Sequence, residues 1–299
     1  MKLKTNKIFV LGANGLFGST IFRYLNLNKN NVWGGISSKK DIKYFKNNKI
    51  IILPKIKNKI TLLDFSKKFE NILKLYKFNY VINCIGYTIH QKEVSYSSKK
   101  IINTEFPHLL AKLSNYYNFK IIHLSTDCVF NGKKGNYREM DTPNSSAEYG
   151  STKEKGEIKN NSNAITLRTS GIGHELYKNN NLLEWFLSQK NKSVPGYSDM
   201  YFSGPTTLEV AKIIQKIINS KIFNFGLFHI SAPKISKKDL LIKINNTYKR
   251  NIKIIPKKTK GLDRSLNSSK FKKMYKYKLK NWNILLKELK RFNEKFLQK

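Results

Sequence analysis

The stretch KIFVLGANGLFG, residues 7–18, decides the fold. Its apolar first half predicts a buried strand at Lys7–Leu11, and the residues after the turn predict a helix around Ser19–Leu27. Three glycines between them allow a tight turn and a close approach of the backbone to a pyrophosphate, which the N–H groups of the helix N-terminus would bind. An ordinary glycine turn is the alternative, but a position directly after the first strand favours a dinucleotide site. The predicted contacts are Gly12, Asn14, Gly15, Leu16, Phe17 and Gly18.

Short apolar runs alternate with amphipathic stretches through the first half of the chain. After Lys7–Leu11, these runs predict strands at Asn31–Ile36, Ile60–Leu63, Tyr80–Ile85, Lys120–Leu124 and Ala164–Leu167. Helices are predicted at Ser66–Tyr76, at Pro107–Tyr117 and from about Tyr149. Apolar strands that alternate with helices are typical of parallel sheets covered on both faces. The predicted fold class is therefore α/β, a Rossmann-like doubly wound parallel sheet.

The alternation loosens after Arg168, which predicts a smaller part built onto the sheet. Its predicted elements are a helix at Leu182–Gln189, a helix at Thr207–Ile218, a strand at Leu227–Ile230, a helix from Ser236, a strand at Ile252–Ile255 and a helix at Asn281–Phe296. We expect a dinucleotide-binding Rossmann domain over residues 1–170 and a C-terminal α/β substrate-binding part over 171–299. Segments around 203–230 are expected to return to the first domain.

The net charge is strongly positive, since 57 Lys and Arg face 19 Asp and Glu for a formal charge of +38. Such a charge raises nucleic acid or an anionic membrane as a partner. Only six of these residues are Arg, the side chain best suited to bidentate phosphate and guanine contacts. The Lys residues are spread along the whole chain, which favours a solvated surface. We therefore predict no nucleic-acid partner, although the charge should attract anionic substrates.

Several further classes are disfavoured by the sequence. No apolar run reaches the length of a membrane span, so we expect no span. The residues before the first strand are rich in lysine and lead directly into that strand, so we expect no signal peptide. Cys84 and Cys128 are too few for a disulfide framework or a four-ligand zinc site. No His, Cys, Asp and Glu cluster has metal-ligand spacing. We therefore predict a cytoplasmic protein with no membrane partner and no metal.

The end of the second strand selects between NAD and NADP. An acidic residue there would hold the ribose 2′-hydroxyl, whereas Ser37, Ser38 and Lys39 suit a 2′-phosphate. The sequence thus predicts NADPH, with NADH possible. Asp64, at the end of the predicted third strand, and its neighbour Phe65 are expected to meet the adenine. A helix N-cap is an equally good interpretation of Asp64.

Tyr149 and Lys153 are spaced i, i+4, which places them on one face of a helix. An ammonium beside a phenol is expected to lower the pKa of the phenol, which makes it a usable proton donor or acceptor. Tyr116 precedes Lys120 at the same spacing, so the spacing alone is weak evidence. Only Tyr149 follows a strand that ends in the hydroxyl residues Ser125 and Thr126, and this context predicts a catalytic role.

Three blocks in order, GANGLFG, STDCVFNGKKGNYREMD and YGSTKEKGE, carry a resemblance to a known family. The sequence resembles the extended short-chain dehydrogenases/reductases, in particular the dTDP-4-dehydrorhamnose reductase group. The resemblance is densest over residues 7–175 and continues more thinly to the C-terminus. The three blocks together are far more specific than any one of them.

The resemblance implies roles for matching positions. Thr126 would orient the substrate carbonyl, with Ser125 as the alternative hydroxyl, Tyr149 would be the general acid, and Lys153 would bind the nicotinamide ribose and tune Tyr149. Further cofactor contacts are implied for Cys84, Ile85, Gly86 and a supporting Asn103. The implied reaction is hydride transfer from NADPH to the C4 ketone of a nucleotide-linked 6-deoxy-4-keto sugar, in the synthesis of surface polysaccharide precursors.

The chain departs from the family pattern at Cys128, where the usual block has Tyr. A smaller side chain near the substrate implies a different sugar or a relaxed pocket, and a buried Cys that fills core space is the alternative. Arg168 and His174 are candidates for contacts to a diphosphate or to sugar hydroxyls. A structural ion pair is the favoured interpretation of Arg168, and an exposed surface position is an equally good interpretation of His174.

Other functions on the same scaffold remain open at the sequence level. A sugar-nucleotide epimerase would keep its dinucleotide bound, and a dehydratase would favour an acidic residue where Cys128 follows Asp127. A non-catalytic dinucleotide-binding protein should lack the Tyr149 and Lys153 pair. The nucleotide, the sugar and the oligomeric state, for which a homodimer is one option, are not determined by the sequence.

Overall fold

A seven-stranded sheet, parallel throughout, forms the centre of the computed structural model, which describes residues 6–28, 30–45, 49–91, 93–177, 180–190 and 193–297. Each strand is an apolar run of the kind that a sheet covered on both faces requires. The strands are β1 (Lys7–Leu11), β2 (Asn31–Ile36), β3 (Lys49–Ile52), β4 (Tyr80–Asn83), β5 (Lys120–Ser125), β6 (Ala164–Arg168) and β9 (Gly226–His229). The predicted doubly wound α/β fold is confirmed.

The strand order is β3-β2-β1-β4-β5-β6-β9, so the chain builds outward in opposite directions from β1. At the carboxyl end of β1, Leu11 pairs with Gly35 of β2 on one side and with Asn83 of β4 on the other. In open parallel sheets, such a reversal of strand order leaves a crevice beyond the carboxyl ends of the strands. The topology thus determines where a ligand site can lie.

Helices cover both faces of the sheet. One face packs on residues of α1, α7 and α9, and the other packs on residues of α2 and α4. No helix within the described ranges is long and apolar enough to cross a membrane. The helices are α1 (Leu16–Leu27), α2 (Lys59–Tyr76), α3 (Tyr96–Lys100), α4 (Phe106–Tyr117), α5 (Glu148–Lys155), α6 (Leu182–Leu187), α7 (Thr207–Ile218), α8 (Lys237–Thr247), α9 (Ser269–Tyr275) and α10 (Trp282–Leu297).

The predicted third strand at Ile60–Leu63 is wrong. These residues lie in the first turn of α2, where Ile60 and Leu63 are 70% and 61% exposed. The helix begins with reciprocal capping, since the Asn58 side chain accepts the Thr61 N–H at 2.9 Å and the Thr61 hydroxyl accepts the Asn58 N–H at 3.0 Å. The third strand is instead β3, which pairs in parallel with β2.

The second half of the chain contributes both to the large sheet and to a smaller part. Helix α7 packs against α1, with the Thr20 hydroxyl donating to the Thr207 hydroxyl at 3.0 Å, and β9 extends the large sheet. A separate hydrophobic cluster holds α6, α8 and α10 together. How the chain divides into domains stays a prediction. The remaining strands form two small sheets: β10 (Ile235–Ser236), β8 (Met200–Phe202) and β12 (Leu262–Asp263) in one, and β11 (Lys253–Lys257) and β7 (Ser193–Tyr197) in the other.

The turn between β1 and α1 depends on two glycines. Gly12 has a φ of +73°, a conformation that favours glycine, and its N–H donates to the Gly35 carbonyl at 3.0 Å. Gly18 lies in α1 with its Cα against the Gly12 carbonyl, so an added Cβ would overlap that oxygen. The close approach of helix to strand therefore requires glycine at position 18.

We expect Gly18→Ala to lower the free energy of unfolding by about 1–3 kcal/mol, because the overlap is with backbone atoms that cannot move aside. Gly15→Ala is the matched control, since its φ of −81° suits alanine and its Cβ would lie 3.3 Å from the Gly12 carbonyl oxygen. Urea denaturation should show the control within about 1 kcal/mol of the wild type. Equal losses for the two variants would contradict this account of the turn.

Candidate active site

A cavity of about 510 Å³ lies at the carboxyl end of the large sheet and joins the glycine turn to helix α5. Its position is the one that the reversal of strand order predicts. The two groups on which the catalytic hypothesis depends, the glycine turn and the Tyr149 and Lys153 pair, line the same crevice. The predicted cofactor residues that line it are Gly12, Asn14, Gly15, Leu16, Phe17, Ser37, Phe65, Cys84, Ile85, Gly86 and Lys153.

The N-terminus of α1 is suited to an anion. Gly15 is the N-cap residue, no side chain caps the helix, and no acidic residue lies in its first turn. The first N–H groups of α1 are therefore left without side-chain acceptors at the floor of the crevice. These features fit the pyrophosphate of a dinucleotide. Gly18 is buried beneath the turn, where it allows the close packing of helix on strand, and its contact with the cofactor stays a prediction.

The segment after β2 contains a feature that the sequence analysis did not use. Ser37 lines the crevice, whereas Ser38 and Lys39 do not. Asp41 follows in a 3₁₀ turn, and its carboxylate accepts a hydrogen bond from Asn14 Nδ2 at 2.6 Å. The Asp41 carboxylate thus lies against the glycine turn, a few residues after Ser37, Ser38 and Lys39, from which NADPH was predicted.

The predicted contact of Asp64 with the adenine is wrong, because Asp64 lies within α2 rather than at the end of a strand. Its side chain is exposed and does not line the crevice. The segment after the true third strand lines it instead, together with Phe65, which is 1% exposed. The residues of that segment are Leu53, Pro54, Lys55 and Ile56. The apolar run that precedes Pro54 was the signal that could have identified them.

Three side chains converge at the end of the crevice away from the glycine turn. Thr126 follows β5, its hydroxyl accepts the Cys128 N–H at 3.1 Å and donates to Asp127 Oδ1 at 3.3 Å, and it lies close enough to influence the Tyr149 phenol. Tyr149 and Cys128 line the same wall. A hydroxyl and a phenol on one wall of a crevice can together hold a carbonyl oxygen.

The expectation that a nearby ammonium lowers the pKa of Tyr149 is wrong. Burial raises the pKa of the Tyr149 phenol well above its usual value, negative charge at Cys128 and Asp127 raises it further, and the nearby Thr126 hydroxyl opposes the shift. The physical reason is that removing the phenolate from water costs more than its neighbours return. Tyr149 is therefore protonated at neutral pH, as a proton donor must be.

Lys153 is buried, with 4% of the residue exposed, and its Nζ donates to the Leu124 carbonyl at 2.7 Å. Burial lowers the pKa of Lys153 to about 8, although the charge of Glu157 opposes the shift. A single carbonyl acceptor leaves two of the three ammonium donors for groups in the crevice. Cys84 lies nearby as a protonated thiol, because burial raises its pKa to about 12.

Asn103 supports the site from behind and does not line the crevice. Its Oδ1 accepts the Tyr87 N–H at 3.0 Å, and its Nδ2 donates to the Tyr87 carbonyl and to the Thr152 hydroxyl, each at 3.1 Å. Both ends of the amide are thus used to connect the loop after β4 to α5. The predicted direct contact with a cofactor is replaced by a positioning role.

Arg168 does not reach the crevice, so its predicted contact with substrate is wrong. The residue is 1% exposed, and its Nε and Nη2 donate to the Glu157 carboxylate at 2.6 Å and 2.7 Å. Ser125 donates to the same carboxylate at 2.8 Å. Ser125 and Thr126 both line the crevice, and each hydroxyl donates to a carboxylate, Ser125 to Glu157 at 2.8 Å and Thr126 to Asp127 at the longer distance of 3.3 Å.

His174 also lies outside the crevice, in the wall of a second cavity of about 420 Å³. Its Nδ1 lies 2.6 Å from Glu184 Oε1 and its Nε2 lies 2.8 Å from the Tyr248 hydroxyl. Both ring nitrogens therefore have protein partners from α6 and from the end of α8. The predicted substrate contact of His174 is wrong for this reason.

Several lining residues were not predicted. The loop after Gly86 contributes residues 87–91, and the segment after β6 contributes Thr169, Ser170 and Gly171. Ser170 donates to Asp127 Oδ2 at 2.7 Å, which holds this segment against the Thr126 wall. These residues lie in loops without a regular sequence pattern. Within the described ranges, no group of three or more His, Cys, Asp and Glu residues is arranged to hold a metal ion.

The parallel sheet, the glycine turn and the Tyr149 and Lys153 pair on one crevice define the class of extended short-chain dehydrogenases/reductases. Within this class, the family model described as the RmlD substrate binding domain matches residues 6–296. The chain belongs to that family. The resemblance inferred from the three sequence blocks is thereby confirmed.

Similar proteins include two curated reductases. The dTDP-4-dehydrorhamnose reductase of Aggregatibacter actinomycetemcomitans is 32% identical over 185 residues, which span 58% of this chain and 63% of that enzyme. The probable low-salt glycan biosynthesis reductase Agl14 of Haloferax volcanii is 28% identical over 236 residues, 75% of this chain and 74% of that protein. Among solved structures, the dTDP-4-dehydrorhamnose reductase of Bacillus anthracis in complex with NADP has a TM-score of 0.76 at 20% identity, over 96% of this chain and 99% of that one.

We expect Arg168→Met to lower the free energy of unfolding by about 3–5 kcal/mol, because it removes the buried cation and two hydrogen bonds of the Glu157 carboxylate and leaves it only the partly exposed Lys159, 3.4 Å away, as a cation. The double variant Glu157→Gln with Arg168→Met should recover part of this loss. Lys134→Met is the control, since Lys134 pairs with Asp141 at 2.7 Å on the surface and should change stability by at most about 1 kcal/mol. If denaturation gave the same small loss for Arg168→Met as for Lys134→Met, the buried pair would not be holding β6 as described.

Proposed function

We propose that this protein is a sugar-nucleotide reductase, which uses NADPH to reduce the C4 ketone of a nucleotide-linked 6-deoxy-4-keto sugar. The observation that carries the proposal is the common crevice of the glycine turn and the Thr126, Tyr149 and Lys153 side chains. The names of the two curated relatives, both reductases, support it. The reaction would supply precursors for surface polysaccharides or glycans.

The chain's own groups account for the steps that a reductase must perform. The glycine turn and the N-terminus of α1 would hold the pyrophosphate of the dinucleotide, and Lys153 would donate to its nicotinamide ribose. When bound, NADPH supplies the hydride. Thr126 and Tyr149 orient the ketone oxygen, and Tyr149, protonated because burial raises the pKa of its phenol, gives its proton to the new alkoxide.

Two further parts of the proposal, the use of NADPH and a cytoplasmic location, are supported by other observations. The Bacillus anthracis structure is named as a complex with NADP, and Ser37 in this chain lines the crevice at the end of β2. Cys84 and Cys128 are both free thiols, which suits a reducing compartment such as the cytoplasm. The alternative, an epimerase with the same crevice, would keep its dinucleotide bound and would need no added NADPH.

We expect Tyr149→Phe to lower kcat by at least about 10²-fold, because the variant keeps the ring but loses the proton donor. NADPH binding, measured by quenching of intrinsic fluorescence, should stay within about threefold of the wild type, since the phenol is remote from the glycine turn. Turnover is followed as loss of NADPH absorbance with 4-keto-6-deoxy sugars linked to dTDP, UDP, GDP or CDP, and NADH is run in parallel.

Tyr116→Phe is the matched control for this experiment. Tyr116 precedes Lys120 at the same spacing as the proposed pair, but it is 80% exposed on the surface of α4. The control should keep full activity. Retained turnover in Tyr149→Phe, or failure of the wild type to oxidise NADPH with every sugar nucleotide of the panel, would overturn the proposed function.

We expect kcat/KM for NADPH to fall as the pH rises through about 8. Burial places the pKa of Lys153 at about 8, so its ammonium is present below this pH and is lost above it. The raised pKa of Tyr149 keeps the phenol protonated over the same range. Initial rates between about pH 6 and pH 10 test this, because kcat/KM reports groups of the free enzyme. In Lys153→Arg the side chain stays charged at high pH, so the fall in kcat/KM above about pH 8 should disappear. If the same fall persists in this variant, it belongs to another group.

A further inference from the structure

Arg264 extends from the small sheet to Cys128 and lies behind the wall of the crevice, which neither Arg264 nor Lys237 lines directly. Its Nε donates to the Phe130 carbonyl at 2.9 Å, and its Nη1 lies 3.7 Å from Cys128 Sγ. Gly132 leaves room for the arginine stem, since a Cβ there would lie 3.1 Å from Arg264 Cγ. The guanidinium is therefore fixed at a residue that lines the crevice beside Tyr149.

A second cation lies in the same region. Ser236 and Asp263 both pair with Tyr201 in the small sheet, so Lys237 and Arg264 leave the two strands that flank β8. Lys237 is the first residue of α8, whose N-terminus is capped by the Ser236 hydroxyl, which accepts the Asp239 N–H at 3.0 Å. Burial and the charge of Arg264 lower the pKa of Lys237, while Asp127 and Cys128 oppose the shift.

Neither cation is neutralised within the described part of the chain, where no carboxylate lies within 4.0 Å of Arg264 or Lys237. Asp127 acts on both from a greater distance, but its oxygens accept from Ser170 at 2.7 Å and from Thr126 at 3.3 Å. Other cations of this region are paired, as Lys234 is with Asp263 at 2.7 Å. Two partly buried, like charges that share only one carboxylate, at a distance beyond 4.0 Å, favour a further anion between them.

We propose that Arg264 and Lys237 form an anion-binding subsite next to Cys128, which holds a negatively charged group of the substrate while its carbonyl faces Thr126 and Tyr149. This inference rests on the proposed function, because it assumes that the substrate enters beside Tyr149. Arg264 supplies a planar fork of donors that matches phosphate or carboxylate oxygens, and Lys237 adds a second charge.

The occupant is an anionic group with paired oxygens, and two parts of a sugar nucleotide have this chemistry. One is the diphosphate that joins the sugar to the nucleoside, and the other is a carboxylate carried by the sugar itself. Either would make Cys128 a specificity-determining position, since the small thiol lets the guanidinium lie directly behind the crevice wall. The larger Tyr that is usual in the family would occupy this space.

The test is calorimetric binding of dTDP, UDP, UDP-glucose and UDP-glucuronate to NADPH-saturated protein. We expect Arg264→Gln and Lys237→Gln each to weaken binding of the anion that occupies the subsite by about tenfold, because each removes one charged contact. Lys238→Gln is the matched control, since Lys238 is the next residue of α8 and lies 3.6 Å from Asp239. It should change binding by less than about twofold.

Weakened binding of all four compounds would assign the subsite to the diphosphate. If the variants lose only the wild-type preference for UDP-glucuronate over UDP-glucose, the subsite binds a carboxylate of the sugar. Unchanged affinities in both variants, with Tm and NADPH binding also unchanged, would overturn the subsite. Because these measurements need no turnover, a wild-type protein that binds the anions but never oxidises NADPH would overturn the proposed function alone.

Discussion

The hydrogen bond from Lys153 Nζ to the Leu124 carbonyl, at 2.7 Å, determines the geometry of the whole site. It attaches α5 to the carboxyl end of β5, where Thr126 follows directly. From the other side, Thr104 Oγ1 donates to the Thr152 carbonyl at 2.8 Å, so α5 is held at two points. The phenol of Tyr149, one helical turn before Lys153, is thereby brought to the Thr126 hydroxyl. Burial of a charged amine lowers the stability of a folded protein. Here the buried amine is Lys153, which lies where its ammonium can donate to a bound cofactor.

The features that were predictable from sequence are those whose spacing is local. The glycine turn follows its strand within a few residues, and Tyr149 and Lys153 share one helix after a strand that ends in hydroxyl residues, so spacing together with local context located them. The error at Ile60–Leu63 arose because a capped first turn of helix carries the same apolar letters as a strand. Arg168 and His174 were misassigned because their partners are set by tertiary packing. The contact between Arg264 and Cys128 joins residues 136 positions apart, and no local pattern signals it.

The protonation states in the crevice agree with the direction of reaction that we propose. Desolvation acts oppositely on the two central groups, since it raises the pKa of the Tyr149 phenol and lowers the pKa of the Lys153 ammonium. A phenol that stays protonated is matched to an alkoxide, which is a far stronger base than phenolate. An acidified phenol, as first expected, would hold its proton less well in the ground state. The reduction direction therefore needs no lowered phenol pKa.

The net charge of +38 cannot by itself orient a substrate. Most of its lysines are solvated, and salt screens their field beyond about 10 Å. An excess of this size attracts any anion to the surface without preference for a position. An anion is oriented by a pair of fixed charges that has no close carboxylate and lies next to the position of the reacting carbonyl. Arg264 is held in such a place by the Phe130 carbonyl, and Lys237 adds its charge from α8. The surface charge thus affects the rate of encounter, while this pair sets the register of the sugar against Tyr149.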